Sequence, residues 1–490
     1  MFKYTCSVVT FLAVLFTTLN PSLAEESALH WPGFRGPEFT GVAPKGNPPT
    51  TWSEEENVRW KVAIPGQGSG SPTVWGDRIY LQTAIKTDRT ADTTGETAVI
   101  NIDSQFQLVG NERYSLLAQA ETPQETERPR GEVPRGGERR RRGGFGGRGG
   151  GFGRAEVPTN YYQFVVMCLD RNTGEVVWQQ TACEAVPHEG HHGTASFASP
   201  TPVTDGKNLY VSFGSRGIYS YTMDGKLRWH KDLGKMSIRN VFGEGSSPAL
   251  YKDTLIVNWD HEGQSFITAL DANTGESKWK VERDEETTWL TPLIVEHDGK
   301  VQVIVNGMNR ARGYDLANGE IIWECGGQAM GAVPTAVAYG DLVFCMTGHR
   351  GAALYAIPLG SKGDITDSDQ IAWHLDRDTP YVPSPLIYGD HLYFTKSNNA
   401  ILSCYNAETG EVIYRGKRLP EMDSIYASPV AAANRIYFAG RNGATTVVKH
   451  GPEFEVLATN MLDEPIDATP AIVGNEMIIR TSGHLYSIAE

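Results

Sequence analysis

Short apolar runs, each broken by a Gly, Asp or Asn turn, recur from Gly70 to Leu462, and seven times they fall into the same order. A small residue and a proline open each unit. A run of apolar residues, a turn, a second run and a hairpin follow, and the unit closes on Asp-x-x-Thr-Gly-Glu-x-x-Trp. Clear copies are Cys168-Leu-Asp-Arg-Asn-Thr-Gly-Glu-Val-Val-Trp178, Ala269-Leu-Asp-Ala-Asn-Thr-Gly-Glu-Ser-Lys-Trp279 and Gly313-Tyr-Asp-Leu-Ala-Asn-Gly-Glu-Ile-Ile-Trp323; Cys404–Tyr414 is a worn one. The opening prolines are Pro72, Pro200, Pro248, Pro292, Pro334, Pro385, Pro429 and Pro470, and after the first interval they lie 41 to 51 residues apart. A period of that length is four short strands per unit.

In the second unit the alternation predicts strands over 199–204, 208–213, 218–222 and 226–233, joined by Asp205-Gly206, Arg216-Gly217 and Asp224-Gly225. A four-stranded unit has two faces to bury and cannot stand alone, so such units stack in a ring. The repeated Trp (Trp178, Trp229, Trp279, Trp323, Trp373) falls on the fourth strand, where its ring can pack between units while its N–H finds an acceptor. After Pro470 only three strands remain before Glu490, whereas Asn57–Pro65 reads as a fourth strand with no preceding three. Together they make one more unit. The expected fold is all-β: an eight-bladed β-propeller of four-stranded antiparallel blades spanning 57–490, the eighth blade closed by an N-terminal strand carrying Trp60.

Two segments depart from the pattern. Residues 1–24 combine Lys3, an apolar stretch and Ser22-Leu23-Ala24, the layout of a secretory leader cleaved near Ala24, with 25–56 an extended segment before the propeller. No other stretch is apolar enough to span a bilayer, so the expected location is the periplasm or the exterior. Residues 85–160 interrupt blade one. Within them 123–156 is Arg/Gly-rich, and 128–154 hold nine arginines against Glu132 and Glu138. So few aliphatic residues cannot offset ordering entropy, and a disordered loop is expected. Its composition resembles arginine-glycine polyanion-binding segments.

The formal net charge is −14, and that basic stretch makes the remaining body more acidic still, which disfavours nucleic-acid or anionic-membrane binding by the propeller itself. Five cysteines follow the leader, an odd number without a Cys-x-x-Cys, so neither thiol redox chemistry nor covalent haem is indicated.

In a propeller the inter-blade loops and middle hairpins share one face. There the sequence collects His188, His191, His192, Arg216, Arg239, Asn240, Glu244, Asp260, His261, Trp289, Arg310, Arg350, Tyr381, Asn398, Tyr426, Arg441 and Asp467. A polar face ringed by Arg, His and aromatic residues is the expected ligand surface. The His188/His191/His192 group is the metal candidate by residue type, yet its flanking glycines place it on a loop without a helical ligand spacing. Gly-x-Ser-x-Gly, phosphate-loop and dinucleotide motifs are lacking.

The Asp-x-x-Thr-Gly-Glu-x-x-Trp repeats, the small-Pro openings and the composite eighth blade resemble the pyrroloquinoline-quinone (PQQ)-like β-propeller family over residues 57–490. That family includes quinoprotein alcohol dehydrogenases and the cofactor-free assembly factor BamB. Trp31-Pro-Gly-Phe-Arg-Gly-Pro37 is similar to a segment preceding the propeller in exported members. The dehydrogenase branch implies PQQ, calcium on an acidic/Asn set and an adjacent Cys pair. This chain has no adjacent cysteines, and Asn240, Glu244 and Asp260 match the calcium set in residue type only. The expectation is therefore a non-catalytic, BamB-like propeller without cofactor, a monomer binding a protein or a cell-envelope polymer through its inter-blade loop face. The alternatives are a PQQ/calcium-dependent dehydrogenase of alcohols or sugars, and a carbohydrate- or polyanion-binding module.

Overall fold

The repeated alternation folds into eight sheets of antiparallel four-stranded blades, seven of them built from strands that follow one another along the chain, in a computed structural model that describes residues 30–91 and 157–490. Residues 1–24, expected to be a leader, and the Arg/Gly-rich stretch lie outside the described residues. Blade one comprises Thr73–Trp75, Arg78–Thr90, Asn160–Asp170 and Val176–Ala185; blade two comprises Val203–Thr204, Asn208–Ser212, Ile218–Thr222 and Leu227–Lys231. Compared with the sequence-based expectation, the first strand of blade two is shorter, because Ser199 to Pro202 form the inter-blade connection. In blade one the two middle strands pair as far as Thr90 and Asn160, making a hairpin arm that extends well past the blade.

The eighth blade is composite, as the sequence implies. Val58–Ala63 pairs antiparallel with the last strand, His484–Ile488, with Lys61 opposite Tyr486 and Val62 opposite Leu485. The last blade is thus completed by the N-terminal part of the chain, which leaves no open edge there.

The repeated tryptophans explain how blades register. In five blades the fourth-strand indole lies over the glycine of the next blade's last turn, as a Cβ on each of those glycines shows: it would come within 2.6 to 3.0 Å of the ring of Trp60, Trp178, Trp229, Trp279 or Trp373. The same indoles donate to backbone carbonyls of those turns: Trp60 to Arg171 (2.8 Å), Trp178 to Met223 (3.1 Å), Trp229 to Ala272 (3.0 Å), Trp279 to Leu316 (2.8 Å) and Trp373 to Ala407 (3.1 Å). Trp323 departs from the expected docking. The corresponding connection in blade five is longer and lays Gly363–Asp364 parallel on the outer strand of blade four. With that slot changed, Trp323 is fully buried over Gly313 of its own blade and bonds to Gln302 Oε1 (3.0 Å).

At the inner ends of the blades, the Ser or Thr beside six of the eight opening prolines links to the next blade. Backbone N–H donates to hydroxyl from Ser71 to Thr201, Thr201 to Ser247, Thr291 to Thr335, Thr335 to Ser384, Ser384 to Ser428 and Ser428 to Thr469, at 2.9 to 3.1 Å. These N–H groups precede or follow prolines, outside the strand ladders, and the neighbouring hydroxyl satisfies each one.

Residues 30–52 run across the inner strands. His30–Trp31 pairs with Thr73–Trp75 of blade one, Pro32 accepts from Thr204 of blade two, and Phe39 packs on the clusters of Leu290 and Leu293. Ala43 bonds to Ala431 of blade seven and Asn47 to Gly474 of blade eight. The segment therefore runs along the inner strands and reaches the first turn of blade eight at Gly474.

Gly275 (φ +75°) and Gly299 (φ +71°) share left-handed backbone, but only Gly275 lies under an indole. Gly299→Ala is expected to lose about 1 kcal/mol through backbone strain. Gly275→Ala is expected to lose about 1–3 kcal/mol more, because Trp229 must move. Urea midpoints of the two variants measure the difference, and equal midpoints would contradict the docking role.

Candidate functional site on the loop face

The loop-face residues segregate into separate clusters. In the first, Arg216 closes a tight turn in the middle hairpin of blade two and gives Nη2 to the Val186 carbonyl (3.1 Å) and to His188 Nδ1 (3.2 Å). His188 Nε2 lies 2.6 Å from the Met236 carbonyl, which can only accept. This fixes the tautomer: Nε2 carries the proton and Nδ1 receives the guanidinium. Glu244 takes Ser215 N–H at 2.6 Å and Ser215 Oγ at 2.5 Å, while Ser215 Oγ accepts from Met236 N–H at 2.8 Å. Gly214 makes this approach possible, since a Cβ there would lie 1.6 Å from Glu244 Oε2. Burial pushes the Glu244 carboxyl above the usual carboxylate range, against the two Ser215 bonds. His188, Arg216 and Glu244, with Phe164, Phe213 and Glu189, line a cavity of about 30 Å³, the volume of a single water.

His191 and His192 turn away from His188. His191 Nδ1 donates to the His192 carbonyl (2.8 Å), and its ring meets Phe197 edge-on at 4.5 Å. His192 Nδ1 bonds Thr194 Oγ1 (2.8 Å). Among the described residues, no group of three or more His, Cys, Asp or Glu is placed to hold a metal ion. Beside His191 opens a second cleft, of about 310 Å³, between the blade-one arm and the loop to blade two; its lining includes Lys86, Asn160, Tyr162 and Phe197.

Around the third blade, Arg239 pairs with Glu262 (3.3 Å) and Glu286, and Glu262 accepts from Thr287 Oγ1 (2.8 Å). His261 Nδ1 accepts from Ser237 N–H (3.2 Å), while Asn240 is exposed in left-handed backbone (φ +52°). Trp289 donates to the Gly243 carbonyl (2.7 Å). Asp260, read from sequence as a loop ligand, is fully buried. It pairs with Arg283 (Nε to Oδ1, 2.8 Å) and accepts from Thr288 Oγ1 (2.7 Å) and Asn258 Nδ2 (3.0 Å). Arg283 in turn reaches the Tyr314 hydroxyl at 2.6 Å.

Farther round, Arg310 pairs with Asp364 (2.8 Å) and Glu324 (3.4 Å), next to an Arg312–Glu285 pair (3.2 Å). Arg350 is exposed with φ +48°, and its neighbour His349 stacks on Tyr381 (4.5 Å). Asn398 Oδ1 accepts from Val382 N–H (3.0 Å). Arg441 lies 4.3 Å over the Tyr426 ring while its Nε holds Asp467 at 2.7 Å. Sequence reasoning missed Ser215, Arg283 and Glu285. Each is an ordinary strand or turn residue whose partner comes from another blade or hairpin.

The residues that match a calcium and quinone site in type do not fit one in place. Asn240 is exposed, both Glu244 oxygens are taken by Ser215, and Asp260 is consumed by Arg283. The five described cysteines are all free; burial pushes Cys183 and Cys325 up to about 11 and Cys168 and Cys404 up to about 12, so these thiols stay protonated.

Because Glu244 holds its proton to higher pH when folded than when unfolded, its contribution to stability falls as pH rises through that raised value and recovers below it. The stability of the native protein relative to Glu244→Gln should therefore decline with rising pH above the usual carboxylate range. Urea midpoints across a pH series measure this, and parallel curves would contradict it.

Among solved structures, BamB from Moraxella catarrhalis is similar at 14% identity, over 66% of this chain and 90% of its own, with a TM-score of 0.49. A computationally designed protein, Ika8, matches at 12% identity over 69% of this chain and 94% of its own, TM-score 0.48. The quinohemoprotein alcohol dehydrogenase ADHIIG from Pseudomonas putida HK5 matches at 9% identity over 95% of this chain and 80% of its own, TM-score 0.53. At that identity the last likeness speaks for the fold alone. A comparison with curated protein sequences finds no match. The family profile described as "Outer membrane protein assembly factor BamB" matches residues 163–416, more than half of the chain, over the same repeats that build blades one to six, and the protein belongs to this BamB-type, PQQ-like propeller family.

Proposed function

We propose that the protein acts, after export, as a non-catalytic module that binds another macromolecule through its inter-blade loop face. One observation carries this reading: the loop face is a broad surface of fixed aromatic and charged groups, not a single enclosed reaction chamber. Arg441 is locked over Tyr426 by Asp467, and His349 is stacked on Tyr381. Held aromatic and Arg side chains are the types that anchor protein interfaces, because little side-chain entropy remains to be lost on binding. The enclosed cavity at Glu244 admits a water, while the open cleft of about 310 Å³ beside Lys86 and His191 is wide enough for a protruding side chain or a sugar. Membership in the BamB-type family supports an interaction role in the cell envelope. Among the described residues, no helix is long and apolar enough to cross a membrane. The dehydrogenase alternative finds no support in the placement of Asn240, Glu244 and Asp260.

Photo-crosslinking amino acids at Arg350 and Met330 on the loop face, compared with Asp224 and Asn318 on the turn face, test this in intact producing cells. Macromolecular adducts are expected from the first pair and not from the second; adducts confined to the turn face, or none from either, would overturn the reading.

A further inference from the structure

The open cleft of about 310 Å³ beside the blade-one arm is far larger than the cavity at Glu244. Pairing within the arm draws its wall together. Lys86 stands directly opposite Tyr162 in the antiparallel ladder, so the two side chains leave the same face of the arm. The Tyr162 ring meets Phe197 at 5.0 Å, and Phe197 meets His191 at 4.5 Å, both edge to face. A cation, a phenol, a phenyl ring and an imidazole therefore follow one another along the lining.

Elsewhere on the loop face the charged groups are spent on one another; here they are not. Lys86 is exposed, and its ammonium takes part in no ion pair or hydrogen bond among the described residues, Asp88 included. Glu184 and Glu189 on the adjoining segments are already engaged, the first by Arg89 (2.6 Å) and Gln163 (3.1 Å), the second by the Ile238 N–H (2.9 Å). His191 gives Nδ1 to the His192 carbonyl, which leaves Nε2 as an acceptor. Asn160 gives Nδ2 to the Thr87 carbonyl (3.0 Å), which leaves Oδ1 as another. The cleft thus offers one positive donor, two neutral acceptors and a strip of half-buried aromatic surface.

Few groups answer all three. A carboxylate side chain of a protein would satisfy Lys86 but set further acceptors against His191 and Asn160. An apolar side chain would satisfy the rings alone. A sugar acid brings a carboxylate for the ammonium, hydroxyls that donate to the imidazole and the amide, and weakly positive C–H edges for the aromatic surface. Its size also suits an open pocket of this volume.

We propose that this cleft is a subsite for a carboxylated sugar unit, of the uronic-acid type, in an acidic polysaccharide. The assignment rests on the reading that the loop side binds a macromolecule, and it names the chemistry of one unit of that ligand. The net charge of −14 opposes a polyanion, but at physiological ionic strength screening confines that repulsion to about 8–10 Å.

The test titrates the purified protein with sodium D-galacturonate and sodium D-glucuronate, with neutral D-galactose and D-glucose, and with a Glu-rich hexapeptide. Saturation-transfer difference NMR reads the binding of each. Saturable transfer to the C–H protons of at least one sugar acid is expected, with its neutral counterpart roughly tenfold weaker and Lys86→Met weakened to a similar degree. Phe197→Ala should abolish the transfer. Should Phe197→Ala not fold, Lys86→Met still decides, because that side chain is exposed. No saturable transfer from either sugar acid, equal affinity for acid and neutral sugars, or unchanged affinity in Lys86→Met overturns the assignment. Lys86-dependent binding of the peptide without the sugar acids also overturns it, yet leaves the macromolecule-binding reading standing. Failure of the crosslinks at Arg350 and Met330 would strike that reading separately.

Discussion

Each of five blades is held to its neighbour by an indole lying on a glycine, and the rest of the architecture depends on that contact. The turn before each outer strand exposes a stretch of backbone with no side chain at its glycine, so a ring can lie flat on it while its N–H reaches a carbonyl of the same turn. The contact combines a large apolar burial with a directional bond, and so fixes both the distance and the rotation between blades. The Ser and Thr hydroxyls beside the opening prolines perform the same task at the inner ends. Where blade five has a longer connection in place of the tight glycine turn, the ring turns inward over Gly313, and an added parallel strand covers blade four instead.

A ring made this way must close, and closure decides where function can reside. The pairing of Val58–Ala63 with His484–Ile488 joins the N-terminal part of the chain to the last blade. The preceding residues 30–52 then pack along the inner strands, pairing with the first strand of blade one and bonding to the first turn of blade eight. The loop face lies at the other end of the blades, beside the arm of blade one. There the charged side chains are largely spent on holding loops. Asp260 belongs to the interior of its blade, Glu244 to the turn at Ser215, and Asp467 to Arg441. These bonds hold the loops in fixed positions.

The fold was legible because its determinants are local and repeated. Trp, Gly and Thr at fixed offsets announce the blade, and the orphan strand at Asn57–Pro65 announces the closure. The exception at Trp323 was hidden because its cause lies forty residues away, in the connection around Gly363. The site was less legible for the same reason. Asp260 beside His261 and Glu262 looks like an exposed acidic loop, and only the approach of Arg283 from the last strand of the same blade turns it into a buried pair. His188, His191 and His192 are adjacent in sequence, but their rings answer to Met236, Phe197 and Thr194 and do not meet.

The central claim is that a propeller of this family serves here as a binding surface and not as a quinone enzyme. Calorimetric titration of the purified protein with PQQ and calcium, accompanied by a dye-linked alcohol and sugar oxidation assay, tests it most directly. The arrangement of Asn240, Glu244 and Asp260 predicts no stoichiometric binding and no turnover. Tight one-to-one binding with oxidation of either substrate class would contradict the account.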